Sequence, residues 1–126
     1  MEETKKELLD SRNLAIQIAK TVDSKKALDI KLLELKELSS LADYFIICSG
    51  GSDTQVKALA DEVDRVLSGQ GIEPHRVEGY QSANWILMDY GDIIVHIFYR
   101  DSRAFYKLDH LWADAPEVAW SEEAAH

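Results

Sequence analysis

Five consecutive residues, Tyr44-Phe45-Ile46-Ile47-Cys48, constrain this chain more than any other stretch. A strand turns alternate side chains to opposite faces, so an unbroken apolar run must be covered on both. A run this short, bounded by a glycine turn, suits a central strand better than a buried helix. Ser49-Gly50-Gly51-Ser52 turns the chain, and Val56, Leu59, Ala60, Val63, Val66 and Leu67 then recur at helical spacing between Asp53 and Ser68. Gly69 and Gly71 stop that helix. A buried strand feeding an amphipathic helix predicts an α/β fold.

The rest of the chain fits that frame. Thr4-Lys5-Lys6-Glu7 has the capping-box pattern, followed by Leu8, Ala15, Ile18, Ala19 and Val22 at helical spacing. From Ala27 to Leu35 the period changes: Leu28, Ile30 and Leu32 alternate with Asp29, Lys31 and Leu33, as on a half-buried strand. A short strand is expected from His75 to Glu78. Trp85 to Tyr90 and Asp92 to Tyr99 form a hairpin about Tyr90-Gly91. Asp101 or Ser102 can cap a last helix carrying Phe105, Leu108, Leu111 and Trp112, with Pro116 beyond it. The expectation is one domain over residues 1–126, a mixed sheet of about five strands packed with helices. Residues 1–12 and 117–126 are expected as frayed ends.

The hairpin carries the most information. A two-residue turn at Tyr90-Gly91 sets Asp89 opposite Asp92, Leu87 opposite Ile94 and Trp85 opposite His96. Ile86, Met88, Ile93, Val95 and Ile97 then share one wholly apolar face, which must be core. The other face mixes Trp85, Leu87, Ile94 and Phe98 with Asp89, Asp92 and His96. Its polar atoms resist burial without partners, yet it is too apolar for an idle surface. Two arrangements satisfy it. Either it is an interface, with Trp85 and Leu87 as anchors ringed by acids, or the last helix covers the apolar members and leaves the acids at the rim.

Charge narrows the partners. The 14 Lys and Arg against 23 Asp and Glu leave a net charge of −9. All of the excess lies beyond residue 36, where the net charge is −10 against +1 before it, so a phosphate backbone would be repelled and direct nucleic-acid binding is not expected as the main role. A basic protein partner suits such a body, and so does plain solubility. The single cysteine, Cys48, excludes an internal disulfide, and no Cys/His cluster has zinc spacing. No run is long enough to cross a bilayer, and the first residues lack the apolar stretch of a signal peptide. A cytoplasmic protein is expected.

Each candidate for chemistry has a plainer account. Ser49-Gly50-Gly51-Ser52 before a helix invites phosphate, but it lacks the P-loop lysine and spacing, and Asp53 would repel an anion. Ser52-x-x-Gln55 as a capping box explains it better. Asp89 and Asp92 resemble the metal-binding pair of nucleotidyltransferases, which also place a Gly/Ser turn after a strand. Those enzymes alternate the two acids along one strand, whereas this pair straddles a turn. Cys48 is expected as a buried, inert thiol, and His75 and His96 as structural histidines. No cofactor and no metal is expected.

Four blocks resemble the ribosomal silencing factor family, also called Iojap. They are Leu41-Ala-Asp-Tyr-Phe-Ile-Ile-Cys-Ser-Gly50, Ser52-Asp-Thr-Gln-Val-Lys-Ala58, Trp85-Ile-Leu-Met-Asp-Tyr-Gly-Asp-Ile-Ile-Val-His-Ile-Phe98, and Arg103-Ala-Phe-Tyr-Lys-Leu-Asp-His-Leu-Trp112 with Asp114-Ala-Pro116. The resemblance spans about Leu14 to Pro116; Ala113 departs from the family's usual glycine after the tryptophan. It implies a non-enzymatic translation factor whose fold is similar to nucleotidyltransferases without their catalytic acids. It further implies binding to the large ribosomal subunit through ribosomal protein L-fourteen, a block to joining of the small subunit when nutrients are short, and a possible homodimer. Organellar relatives act in assembly of the large subunit. On the matching motif positions, the implied contact residues are Trp85, Leu87, Asp89 and Asp92, with Tyr80, His96, Phe98, Arg103 and Tyr106. Arg103 has a second expected role, pairing with a hairpin carboxylate to hold the fold.

Overall fold

Every residue from Tyr44 to Gly50 is buried, as a strand covered on both faces requires. The computed structural model describes residues 2–36, 38–106 and 112–121, with side chains at 11–36, 38–103 and 112–121. In chain order the elements are α1 (Glu2–Ser24), β1 (Leu28–Glu34), β2 (Tyr44–Gly50), α2 (Asp53–Ser68), β3 (Arg76–Glu78), β4 (Trp85–Asp89), β5 (Ile93–Tyr99) and α3 (Arg100–Tyr106). The strands form one mixed sheet in the order β1-β2-β5-β4-β3. Only β2 and β5 run parallel. Their crossover contains α2, as parallel neighbours require.

Alternation divides the core in two. Tyr44, Ile46 and Cys48 of β2 join Ile86, Met88, Val95 and Ile97 beneath Ile18 and Val22 of α1 and Val56, Leu59 and Val63 of α2. Phe45 and Ile47 point the other way, into a smaller cluster with Leu33, Leu35, Ile94, Phe98 and Ala115. In β1 the expected alternation holds only after a bulge between Leu28 and Lys31, where Asp29 takes φ 49°. From there Leu32 serves the first cluster and Leu33 the second.

The hairpin register differs from the expectation by two residues. Trp85 pairs with Phe98, Leu87 with His96 and Asp89 with Ile94. The turn is Gly91-Asp92, closed by Tyr90 N–H donating to Ile93 C=O at 2.9 Å, with Gly91 at φ 90°. Both favoured two-residue turns need a positive φ at their first central position. A turn on Tyr90-Gly91 would force that on Tyr90, which a bulky residue resists. A slip of two keeps the strand side chains on their predicted faces and moves only Asp92, which now lies in the turn.

Four boundary expectations change. α1 starts at Glu2, so Thr4 lies inside it instead of capping it. α3 follows β5 without a break, which leaves Asp101 and Ser102 no capping position. Trp112 lies beyond α3, while Leu108 and Leu111 fall outside the described residues. The segment expected to fray from residue 117 is tied down at its start: Glu34 N–H donates to Pro116 C=O at 2.9 Å and Val118 N–H to Leu32 C=O at 2.8 Å. Those bonds close the outer edge of β1 and bury Val118.

Candidate partner-docking face

Along β4, Ile86 and Met88 are buried under the helices while Trp85, Leu87 and Asp89 face the other way, partly exposed. On β5 the same face carries Ile94, His96 and Phe98, all buried. The difference comes from a roof. Trp112 meets Phe45 edge-on at 5.7 Å and Ala115 is buried in the same cluster, so the C-terminal segment covers the β1-β2-β5 side. The β4 row stays partly exposed. The face is thus covered over β2 and β5 by Trp112 and Ala115 and partly exposed along β4.

Trp85 is held from below. Its ring stacks on Phe98 at 5.1 Å and 23°, and its Nε1–H donates to His96 Nδ1 at 3.0 Å. His96 in turn meets Phe45 edge-on at 4.6 Å. Because the indole can only donate, Nδ1 is the bare nitrogen and Nε2 carries the proton. Burial pushes the imidazole down to about 4, so the ring is neutral. His96 Nε2 has no hydrogen-bond partner among the described residues.

Asp89 already has partners. One carboxylate oxygen accepts the Gly91 N–H at 2.8 Å, and the other lies 3.3 Å from Arg76 Nε. In register Arg76 lies opposite Asp89 and Glu78 opposite Leu87, so both β3 residues share the face of the β4 row. Arg76 also reaches Glu78 at 3.1 Å. These two were absent from the predicted site. Their period-two spacing was legible, but their pairing with β4 was not.

The structure removes several expected residues from this face. Asp92 sits in the turn on the helix side, where its carboxylate accepts from Ser11 at 3.4 Å and its carbonyl takes the N–H groups of Asp43 and Tyr44. The shifted turn is the cause. Tyr80 lies across the sheet, donating its hydroxyl to Asp61 of α2 at 3.0 Å beneath Lys57. Phe98 and His96 are buried supports. Arg103, 8% exposed, donates to the Asp29 carbonyl at 2.7 Å and to Ser49 Oγ at 3.0 Å, tying α3 to β1 and β2. Tyr106 ends α3, its side chain outside those described. What stays together is Trp85, Leu87 and Asp89.

The turn after β2 is internally satisfied. Ser52 Oγ accepts the Gln55 N–H at 3.1 Å, while the Gln55 side chain takes the Gly51 N–H at 2.6 Å and donates to the Lys26 carbonyl at 3.1 Å. Those are the amides that would have held an anion. Burial raises the Cys48 thiol to about 12, so it stays protonated. Asp89 and Asp92, facing different neighbours, do not make a metal pair. Among the described residues no group of three or more His, Cys, Asp or Glu is placed to hold a metal, and no helix is long and apolar enough to cross a membrane.

The fold is a mixed α/β sheet with helices on one face and, on the other, a C-terminal cover beside a partly exposed Trp-Leu-Asp row. The chain belongs to the ribosomal silencing factor family: residues 8–126 match the family described as ribosomal silencing factor during starvation. It is 50% identical over 97 residues to the ribosomal silencing factor RsfS of Halalkalibacterium halodurans, across 77% of this chain and 83% of that one. To the Bacillus subtilis protein of the same name it is 45% identical over 98 residues, across 78% and 83%. A crystal structure from Bacillus halodurans shares the fold with a TM-score of 0.73 at 43% identity, covering 88% of this chain and 98% of that one. Membership makes this a ribosome-associated factor in translational silencing, a regulatory role.

Proposed function

We propose that the chain represses translation by seating its partly exposed β4 row on a basic protein of the large ribosomal subunit, ribosomal protein L-fourteen, so that the small subunit cannot join. One observation carries this reading: Trp85 and Leu87 stay partly exposed beside the carboxylates of Asp89 and Glu78. Partly exposed aromatic and aliphatic anchors with a charged rim have the anatomy of an interface hot spot. The net charge of −9 adds long-range attraction toward a basic surface. A homodimer through the same row would compete with docking, since one surface cannot serve both at once.

The test is co-sedimentation with purified subunits at two salt concentrations. The expected outcome is co-migration with the large subunit alone, weaker at high salt, and fewer joined ribosomes on mixing. Trp85→Ala combined with Asp89→Lys should abolish co-migration while the protein still melts cooperatively. Unchanged binding by that variant would exclude this surface. Binding without any effect on joining would point instead to assembly of the large subunit.

A further inference from the structure

We infer that the groove between α2 and β3 is a second docking site, on the opposite face from the β4 row, and that it takes a lysine or arginine side chain carried on a segment of a basic protein.

Alternation explains why the groove exists. Arg76 and Glu78 turn to the face of the β4 row, so Val77, paired with Met88, turns to the helix side. The helical cover ends before it: Met88 is buried beneath the helices, whereas Val77 joins neither apolar cluster and is 41% exposed. Between Val77 and α2 lies a groove of about 340 Å³, whose apolar lining is Val77, Met88, Pro74 and Ala60.

The polar lining is acidic. Asp61 and Asp64 come from α2, and Glu73 from the loop before β3. Asp61 is already engaged, accepting the Tyr80 hydroxyl at 3.0 Å, and Lys57 stands over the Tyr80 ring at 5.5 Å. Among the described residues Asp64 accepts from Ser68 alone, at 3.3 Å, and neither Asp64 nor Glu73 has a cation within ion-pair distance. Their field reaches the Tyr90 hydroxyl, whose proton is held above the usual tyrosine range by burial first and by these two charges next.

Carboxylates on the outer face of a helix ordinarily need nothing but water. These two share a groove with exposed apolar surface, and one kind of side chain fits both halves at once. The methylene stem of a lysine or arginine covers Val77 and Met88 while its cationic head meets Asp64 and Glu73. A hydrated metal ion would leave the apolar half unused, and an anion would be repelled. The net charge of −9 draws a basic segment toward the groove. Because the two sites lie on opposite faces of the sheet, both can be filled together.

The probe is acetyl-tetralysine amide, titrated into the nitrogen-labelled full chain and followed by NMR. Saturable shifts should centre on the amides of Asp64, Glu73, Val77 and Met88. Asp64→Asn with Glu73→Gln should weaken the peptide about fivefold, whereas Asp23→Asn with Asp114→Asn, which removes the same charge from exposed positions elsewhere, should change it by less than about twofold. Val77→Ser removes apolar lining and should weaken it about threefold. Trp85→Ala should bind the peptide as wild type does, so loss of the β4 row as a docking surface would leave this site standing. Equal losses in the two double variants would show diffuse attraction to a negative body and overturn the inference. Shifts centred on the β4 row would overturn it too, as would the absence of saturable shifts by about 5 mM peptide. Spermidine or magnesium binding in the groove at least as tightly as the peptide would make it a small-cation site and overturn the choice of a protein segment.

Discussion

A β-carbon on Gly79 would stand 2.0 Å from the carbonyl oxygen of Trp85, so the turn before β4 backs directly onto the first residue of the docking row. Gly79 also holds φ +80°, where L side chains are strained. Backbone on backbone cannot rotate out of the way as a side chain could. Gly79→Ala should therefore lower the unfolding free energy by about 3 kcal/mol or more, measured by urea denaturation. A loss below about 1 kcal/mol would mean that the turn relaxes freely.

His96 should make stability depend on pH. In the unfolded chain it takes up a proton near its ordinary 6.5, whereas in the fold it resists until about 4. The unfolded state therefore binds more protons between those values, and stability falls as pH drops through that window. The contribution is complete above 6.5 and lost by about 4, a change of about 3 kcal/mol for the single group. Carboxylates titrate over the lower part of the same range, so the test is comparative. The difference in unfolding free energy between wild type and His96→Asn, taken from denaturation curves at several pH values, should change steadily across this window and level off above it.

The start of α2 should behave as a cap and not as a ligand site. Ser52→Ala removes one acceptor and should cost about 1 kcal/mol. Gln55→Ala removes the bonds to Gly51 N–H and the Lys26 carbonyl, and should cost about 1–2 kcal/mol. Nucleotide with magnesium should leave the melting temperature of the wild-type protein unchanged in calorimetry; a rise would reopen the anion-site reading of this turn.

Tyr80 offers a control for the docking face. Its hydroxyl donates to Asp61 on the helix side of the sheet. Tyr80→Phe should lower stability by about 0.5–1 kcal/mol and leave co-sedimentation with the large subunit as in wild type. Reduced binding by a folded Tyr80→Phe would extend the contact surface around the β3 edge to the second face.

The parts legible in the sequence were those set by local chemistry. The apolar run at Tyr44–Cys48 could only be a covered strand, and α2 followed its own periodicity and cap from Asp53 to Ser68. Even with its turn misplaced, the hairpin kept Trp85, Leu87 and Asp89 on one face, because a slip of two residues does not alter alternation. The four motif blocks carried the family assignment. Only the tertiary structure decided how far that face is open. Among the described residues its roof comes from Trp112 and Ala115, distant in the chain from the Phe45 cluster that they cover. Nor could spacing show that Tyr80 would meet Asp61, that Asp92 would turn toward α1, or that His96 would accept from Trp85. Alternation fixes the face a side chain takes; long-range packing decides whether that face meets water, a partner or the rest of the protein.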